Sequence, residues 1–146
     1  MRLFFLAISL VASLRITAYA QPTPEGVWMS FDDDGKTPTA LVRISKMNAQ
    51  LSGRIEKVLD TTTASQAICS KCKDDRKNQA IVGLEIIRGT KATPQNNQWL
   101  EGKILHPDDG KEYKLVLEMQ DAGNTLGVRG YWGPFWRTQQ WRRQAQ

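Results

Sequence analysis

The chain has one histidine and two cysteines in 146 residues. With a single His, any Ser-His-Asp or Cys-His site would have to be built around His106, and such sites are recognised by geometry rather than by sequence. Zinc takes four ligands, most often Cys and His, so Cys69, Cys72 and His106 would still need a carboxylate. Long basic blocks are absent and the acidic residues are spread throughout. The electrostatic footprint of a nucleic-acid binder is therefore weak, and no nucleic-acid partner is expected. No apolar run reaches the roughly 20 residues of a membrane-spanning helix, so no transmembrane anchor is expected. Helical periodicity is also missing after residue 20.

What is present begins with Met1-Arg2, the apolar run LFFLAISLVASL at 3–14 and AYA at 18–20. A positive start, a short apolar core and an Ala-x-Ala site read as a secretory signal peptide cleaved near Ala20. Arg15 interrupts that pattern. No cysteine follows the cleavage-like site, so no lipid anchor is indicated. Residues 21–146 would form one domain of 126 residues, and loss of Arg2 and Arg15 lowers the formal charge from +5 to +3. The expected location is periplasmic or secreted.

The remainder reads as strands separated by turn signals. Candidate strands are 25–31, 39–47, 51–59, 80–89, 98–106, 112–120, 125–132 and 135–143, with DDDGK, PDDGK and DAGN among the connections. Period-two alternation, as in Ala40, Val42 and Ile44 against Leu41, Arg43 and Ser45, points to β structure. Eight sequential antiparallel strands dispose of their edges by closing into an up-and-down barrel; a sandwich is the competing architecture. Glycines inside the strand patterns at 53, 102 and 127 favour bulges or sharp bends.

Gly26-Val27-Trp28 resembles the Gly-x-Trp signature of lipocalins and related calycin barrels. In that superfamily the Trp plugs one end and an Arg of the last strand packs over it. Here the last strand offers Trp141 and Arg143, two apart and so on one face. Further motifs follow in order: Leu51-x-Gly53-x-Ile55, Cys69-x-x-Cys72, Gly83-Leu84, Trp99 to Gly102-x-Ile104, Pro107 to Gly110-Lys111-x-Tyr113, Gly130-Tyr131 and Arg137-Thr138-Gln139-x-Trp141-x-Arg143. The ordered set resembles the exported bacterial proteins of domain-of-unknown-function family 2147. His106 before the Pro, and WGPFW ahead of Arg137, depart from that pattern. The resemblance implies an all-β, antiparallel, eight-stranded lipocalin-like barrel and export; it implies no activity.

In an exported protein the closely spaced Cys69 and Cys72 read as a disulfide rather than a redox or zinc pair. The acidic turns read as turn chemistry rather than cation sites. Trp141 shares a face with Arg137, Gln139 and Arg143, while Thr138, Gln140 and Arg142 face the other way. Trp28, Trp141 and Arg143 are expected to close the barrel. Trp132, Phe135 and Trp136 flank Gly133-Pro134 and, with Arg137, form the candidate binding element, because aromatics and Arg are enriched at binding hot spots. The first functional reading is a binding module for a small apolar or amphipathic ligand. The second is an interaction module for an envelope protein with a filled barrel. An enzyme ranks last, and no metal or cofactor is expected.

Overall fold

A computed structural model describes residues 22–59, 67–93 and 97–145. The proposed signal peptide at 1–20 lies outside the described residues. Eight strands follow one another as β1 (Gly26–Phe31), β2 (Pro38–Met47), β3 (Gln50–Val58), β4 (Glu85–Ala92), β5 (Gln98–His106), β6 (Lys111–Gln120), β7 (Thr125–Trp132) and β8 (Phe135–Arg143). They pair in sequence order into a closed antiparallel barrel, with β8 returning to β1. Two connections are two-residue turns, Asn48-Ala49 between the paired Met47 and Gln50 and Gly133-Pro134 between the paired Trp132 and Phe135. A positive φ of 57° at Gly133 followed by proline's fixed negative φ is the sign pattern of a type II′ hairpin turn.

Alternation sets the inside of the wall. Trp28, Val42, Ile44, Ile55, Leu115, Leu117, Leu126, Val128 and Trp141 are buried in one core cluster. Glycine makes room between large neighbours: a Cβ on Gly53 would lie 2.9 Å from Ile87, and one on Gly102 would lie 2.1 Å from Thr90 Oγ1. Both sit at register shifts, against β4 and β6 respectively, as expected for bent strands. Gly127 does not, because the β6–β7 and β7–β8 ladders run without a shift.

The fourth strand begins later than the sequence pattern predicts. Ala80 makes only an isolated bridge to Ile68, and Gly83 turns the chain at a φ of 90°. The ladder therefore starts at Glu85 and runs on to Ala92. The apolar run at 80–84 belongs instead to the β3–β4 connection, whose described part packs Ile81 and Leu84 against the barrel core.

The base of the barrel is closed by the two ends of the sheet. The β1–β8 ladder has only two pairs, Trp28↔Arg143 and Met29↔Arg142. Arg143 compensates for that short seam. Its guanidinium lies 4.2 Å from the centre of the Trp28 ring. It also donates to the carbonyls of Gly123 at 2.7 Å, Glu25 at 2.8 Å and Thr23 at 2.7 Å. Trp28 is fully buried, and its indole N–H donates to Pro24 O at 2.7 Å. A Cβ on Gly26 would come within 2.7 Å of Arg143 Nη1, at a φ of 133° that L side chains rarely adopt.

At the opposite end, the described part of the β3–β4 connection is held by a disulfide and ions. Cys69 and Cys72 are bonded, and both are buried within the core cluster. The disulfide is therefore more than a local staple. Cys69 Sγ lies 3.6 Å from the Pro107 carbonyl oxygen, and a Cβ on Gly110 would fall 2.0 Å from Lys71 O. Arg76, only 1% exposed, donates to Asp74, to Glu112 at 2.7 Å and to Glu85 O at 3.1 Å. Arg88 on β4 holds Asp75 through two 2.8 Å contacts and Glu85 through one of 2.7 Å.

Two expectations follow. Trp28→Ala removes a buried aromatic ring and should cost about 3–5 kcal/mol. A urea melt that hardly moves would show the ring to be dispensable. Arg76 holds the Asp74 carboxyl well below the ordinary range through its hydrogen bonds, and Arg88 does the same for Asp75. Groups depressed on folding contribute stability above their unfolded value and lose it as protons return. Docking of residues 67–84 should hold from neutral pH down to about pH 4, the unfolded carboxylate range, and weaken below it. Amide exchange corrected for its intrinsic pH dependence checks this. Protection unchanged well into acid would contradict it.

Candidate functional site

The end of the barrel away from Trp28 is hollow. Two adjoining cavities, of about 320 and 280 Å³, share Ile104, Leu105, His106 and Gln139 in their linings. The second enters the barrel between Val42, Ile55, Ile86 and Trp141, with Ser30 beside them. The first runs outward past Tyr113 and Gly130 to Trp132, Phe135 and Trp136. Each volume is at or just below the lower end of the roughly 300–1,000 Å³ range of small-molecule pockets.

The β7–β8 hairpin positions the aromatic rim. Its register pairs Trp132 with Phe135 and Tyr131 with Trp136 at the tip. Trp132, Phe135 and Trp136 are 64%, 67% and 66% exposed, against 0% for Trp28 and 2% for Trp141. Three large rings on one two-residue turn form an apolar patch that the described residues leave open. Lys111 Nζ sits 5.9 Å from the centre of the Trp132 ring.

The β1–β8 pairs lie only at the base, so beyond Met29 and Arg142 the two strands part. Arg137 of β8 bridges that gap by an ion pair to Asp33 in the β1–β2 turn. Gln139, next on the same face, accepts through Oε1 a hydrogen bond of 3.1 Å from Trp141 Nε1. The structure thus brings Arg137 and the three rim aromatics into one cavity lining. Trp141 stands at the floor of the neighbouring cavity, and Trp28 and Arg143 at the far base.

Sequence reading missed Gln139 and Tyr113 as mouth residues. The alternation did place Gln139 on the Trp141 face, but its hydrogen bond depends on side-chain geometry. Tyr113 OH donates to Asp109 Oδ2 at 3.3 Å, and burial first, then Asp109, raise the phenol above its ordinary value. It therefore remains a donor at neutral pH. His106, at the end of β5, has its Nδ1 3.6 Å from Asp109 Oδ1.

The acidic turns are occupied by turn chemistry. Asp34 Oδ1 accepts from the Lys36 and Thr37 N–H groups, each at 2.8 Å. Asp109 Oδ1 accepts from the Lys111 N–H at 2.9 Å. Among the described residues, no group of three or more His, Cys, Asp or Glu could hold a metal ion. No helix among them is long and apolar enough to cross a membrane.

Comparison with known proteins agrees with this architecture. Protein HP1028 from the human pathogen Helicobacter pylori, which belongs to the lipocalin family, superposes with a TM-score of 0.71. The identity is 15%, over 85% of this chain and 84% of that one. At that identity the likeness concerns the fold alone. No curated protein matches the chain. A family model described as "Uncharacterized protein conserved in bacteria" matches residues 26–143. That span runs from Gly26, which admits Arg143, to Arg143 itself. The chain belongs to that family, domain-of-unknown-function family 2147, and has a lipocalin-like barrel.

Proposed function

We propose that the protein is a binding module of the bacterial envelope that takes a small apolar or amphipathic molecule into the mouth of its barrel. The observation behind this reading is the division of the interior. Trp28, Ile44, Leu115, Leu117 and Leu126 fill the base, whereas a cavity of about 280 Å³ opens between Val42, Ile55, Ile86 and Trp141. Eight-stranded barrels have room for either packed side chains or one small ligand. This barrel combines packing below with space above. The ligand's apolar part would lie along Val42, Ile55 and Ile86, with Trp132, Phe135 and Trp136 covering what projects. Each Å² of apolar surface removed from water contributes about 25 cal/mol, and among the described residues these are the most exposed large hydrophobic side chains.

Export supports the same reading. The amino-terminal pattern at 1–20 reads as a signal peptide, and the Cys69–Cys72 disulfide suits an oxidising compartment. The second reading, docking of an envelope protein on the aromatic hairpin, draws on the same exposed rings. It does not use the hollow interior.

Titration with the neutral, environment-sensitive dye Nile red separates the two. Wild-type protein should bind about one equivalent with a blue-shifted emission. Replacing Trp132 and Trp136 together with Ser should weaken that binding about tenfold or more, since hot-spot truncations cost ≥ 2 kcal/mol. The melting temperature should stay nearly unchanged, because both rings stand in water. A large fall in melting temperature would make the hairpin core. Absence of dye binding by the wild type would leave the barrel without an interior site and favour the protein-docking reading.

A further inference from the structure

We propose that the molecule taken into the mouth carries an anionic, hydrogen-bond-accepting head of the carboxylate type. Arg137 and Gln139 receive that head, and Asp33 holds the guanidinium until it arrives. This rests on the binding reading above and supplies the ligand class that reading leaves open.

The inward face of β8 carries the chemistry. A tryptophan N–H only donates, so the Gln139 atom 3.1 Å from Trp141 Nε1 is the carbonyl oxygen. The amide orientation is thereby fixed, and Nε2 with its two N–H groups is turned away from the indole. Among the described residues nothing accepts from Nε2. Gln139 lines both cavities. A half-buried donor at a cavity wall takes its acceptor from solvent or from a ligand.

Arg137 stands two residues nearer the rim on the same face, about 7 Å along the strand. Asp33 is the only carboxylate it meets among the described residues. That pair is open to water, with side-chain exposures of 55% and 66%. Exposed pairs of this kind are worth about 0–1 kcal/mol, so exchanging one carboxylate for another costs little. The planar guanidinium suits a two-oxygen head. Asp33 therefore already shows what kind of group Arg137 holds in this mouth.

Opposing charges line the same two cavities. Asp32 and Asp108 border the second cavity from turns at its rim, and Asp109 is engaged by Tyr113 and the Lys111 N–H. The groups that β8 itself directs inward are a cation and a free amide donor. Lys111 beside Trp132 adds a second cation at the outer edge. An anionic head meets donors along the strand that walls the mouth, whereas a cationic head would meet only the carboxylates of the turns and leave Gln139 Nε2 without an acceptor.

Three probes of equal chain length test the head group: decanoate, 1-decanol and decyltrimethylammonium. Each is titrated calorimetrically into the purified protein below its micelle-forming concentration, at a pH where decanoate is ionised. Decanoate should bind about tenfold tighter than 1-decanol, which is about 1.4 kcal/mol. Arg137→Gln should bring the two within about twofold of each other by weakening decanoate far more than 1-decanol. Asp33→Asn should tighten decanoate a few-fold and leave 1-decanol alone, because it removes the resident competitor. Melting curves of both variants should overlay the wild type. Equal wild-type binding of decanoate and 1-decanol would overturn the head-group assignment while leaving the binding function standing. Tightest binding of the ammonium probe would overturn it in favour of the acidic rim. If Nile red and all three probes fail to bind, the binding function falls and the assignment falls with it.

Discussion

The barrel depends on Arg143. Seven of its eight seams are hairpins between consecutive strands, or the longer β3–β4 connection, and each has four or more paired residues. The eighth joins first strand to last with only two pairs. There a single guanidinium stacks on Trp28 and satisfies three carbonyls from two separate segments. Gly26 is required because any side chain would occupy the space that Nη1 uses. One residue thus ties the pre-strand segment, the β6–β7 turn and the plug ring into the closed base.

Closing the base so strongly leaves the other end free to differ. Above the two-pair seam, β1 and β8 are joined through side chains, Asp33 to Arg137, rather than through a ladder. The interior follows the same division, with aromatic and aliphatic packing below and cavity above. Across the mouth, the described part of the β3–β4 connection is tied by Arg76, Arg88 and the disulfide, and contributes Ile81 to the cavity wall. A rigid wall therefore faces a hairpin whose tip rings are solvated.

Much of this was legible in the sequence, because strand alternation and turn residues are local signals. The spacing of Trp141 and Arg143 gave their shared face, and Gly133-Pro134 gave the turn that exposes its neighbours. The start of β4 was misread because within Ala80 to Leu84 only Ile81 and Leu84 pack against the barrel core, from a connection rather than a strand, while Val82 stays exposed. Burial of Arg76 was illegible, since beside the local Asp74 it needs Glu112, 36 residues away, and the Glu85 carbonyl. The Asp33–Arg137 pair and the amide orientation of Gln139 were also invisible. The first depends on where the β1–β8 ladder stops, and the second on the side-chain geometry of Gln139 and Trp141, neither of which a local pattern encodes.

The closing contacts also impose an order of assembly. Arg143 meets Glu25 and Thr23 across 118 and 120 residues of chain, whereas most of the other seams can zip between adjacent strands. Loop-closure entropy rises with the length spanned, and contacts of wide separation slow folding. A curled sheet of consecutive strands can therefore form before its circumference is joined. The plug ring and the guanidinium would then meet in the final step, acting as the clasp of a bracelet that is already curved.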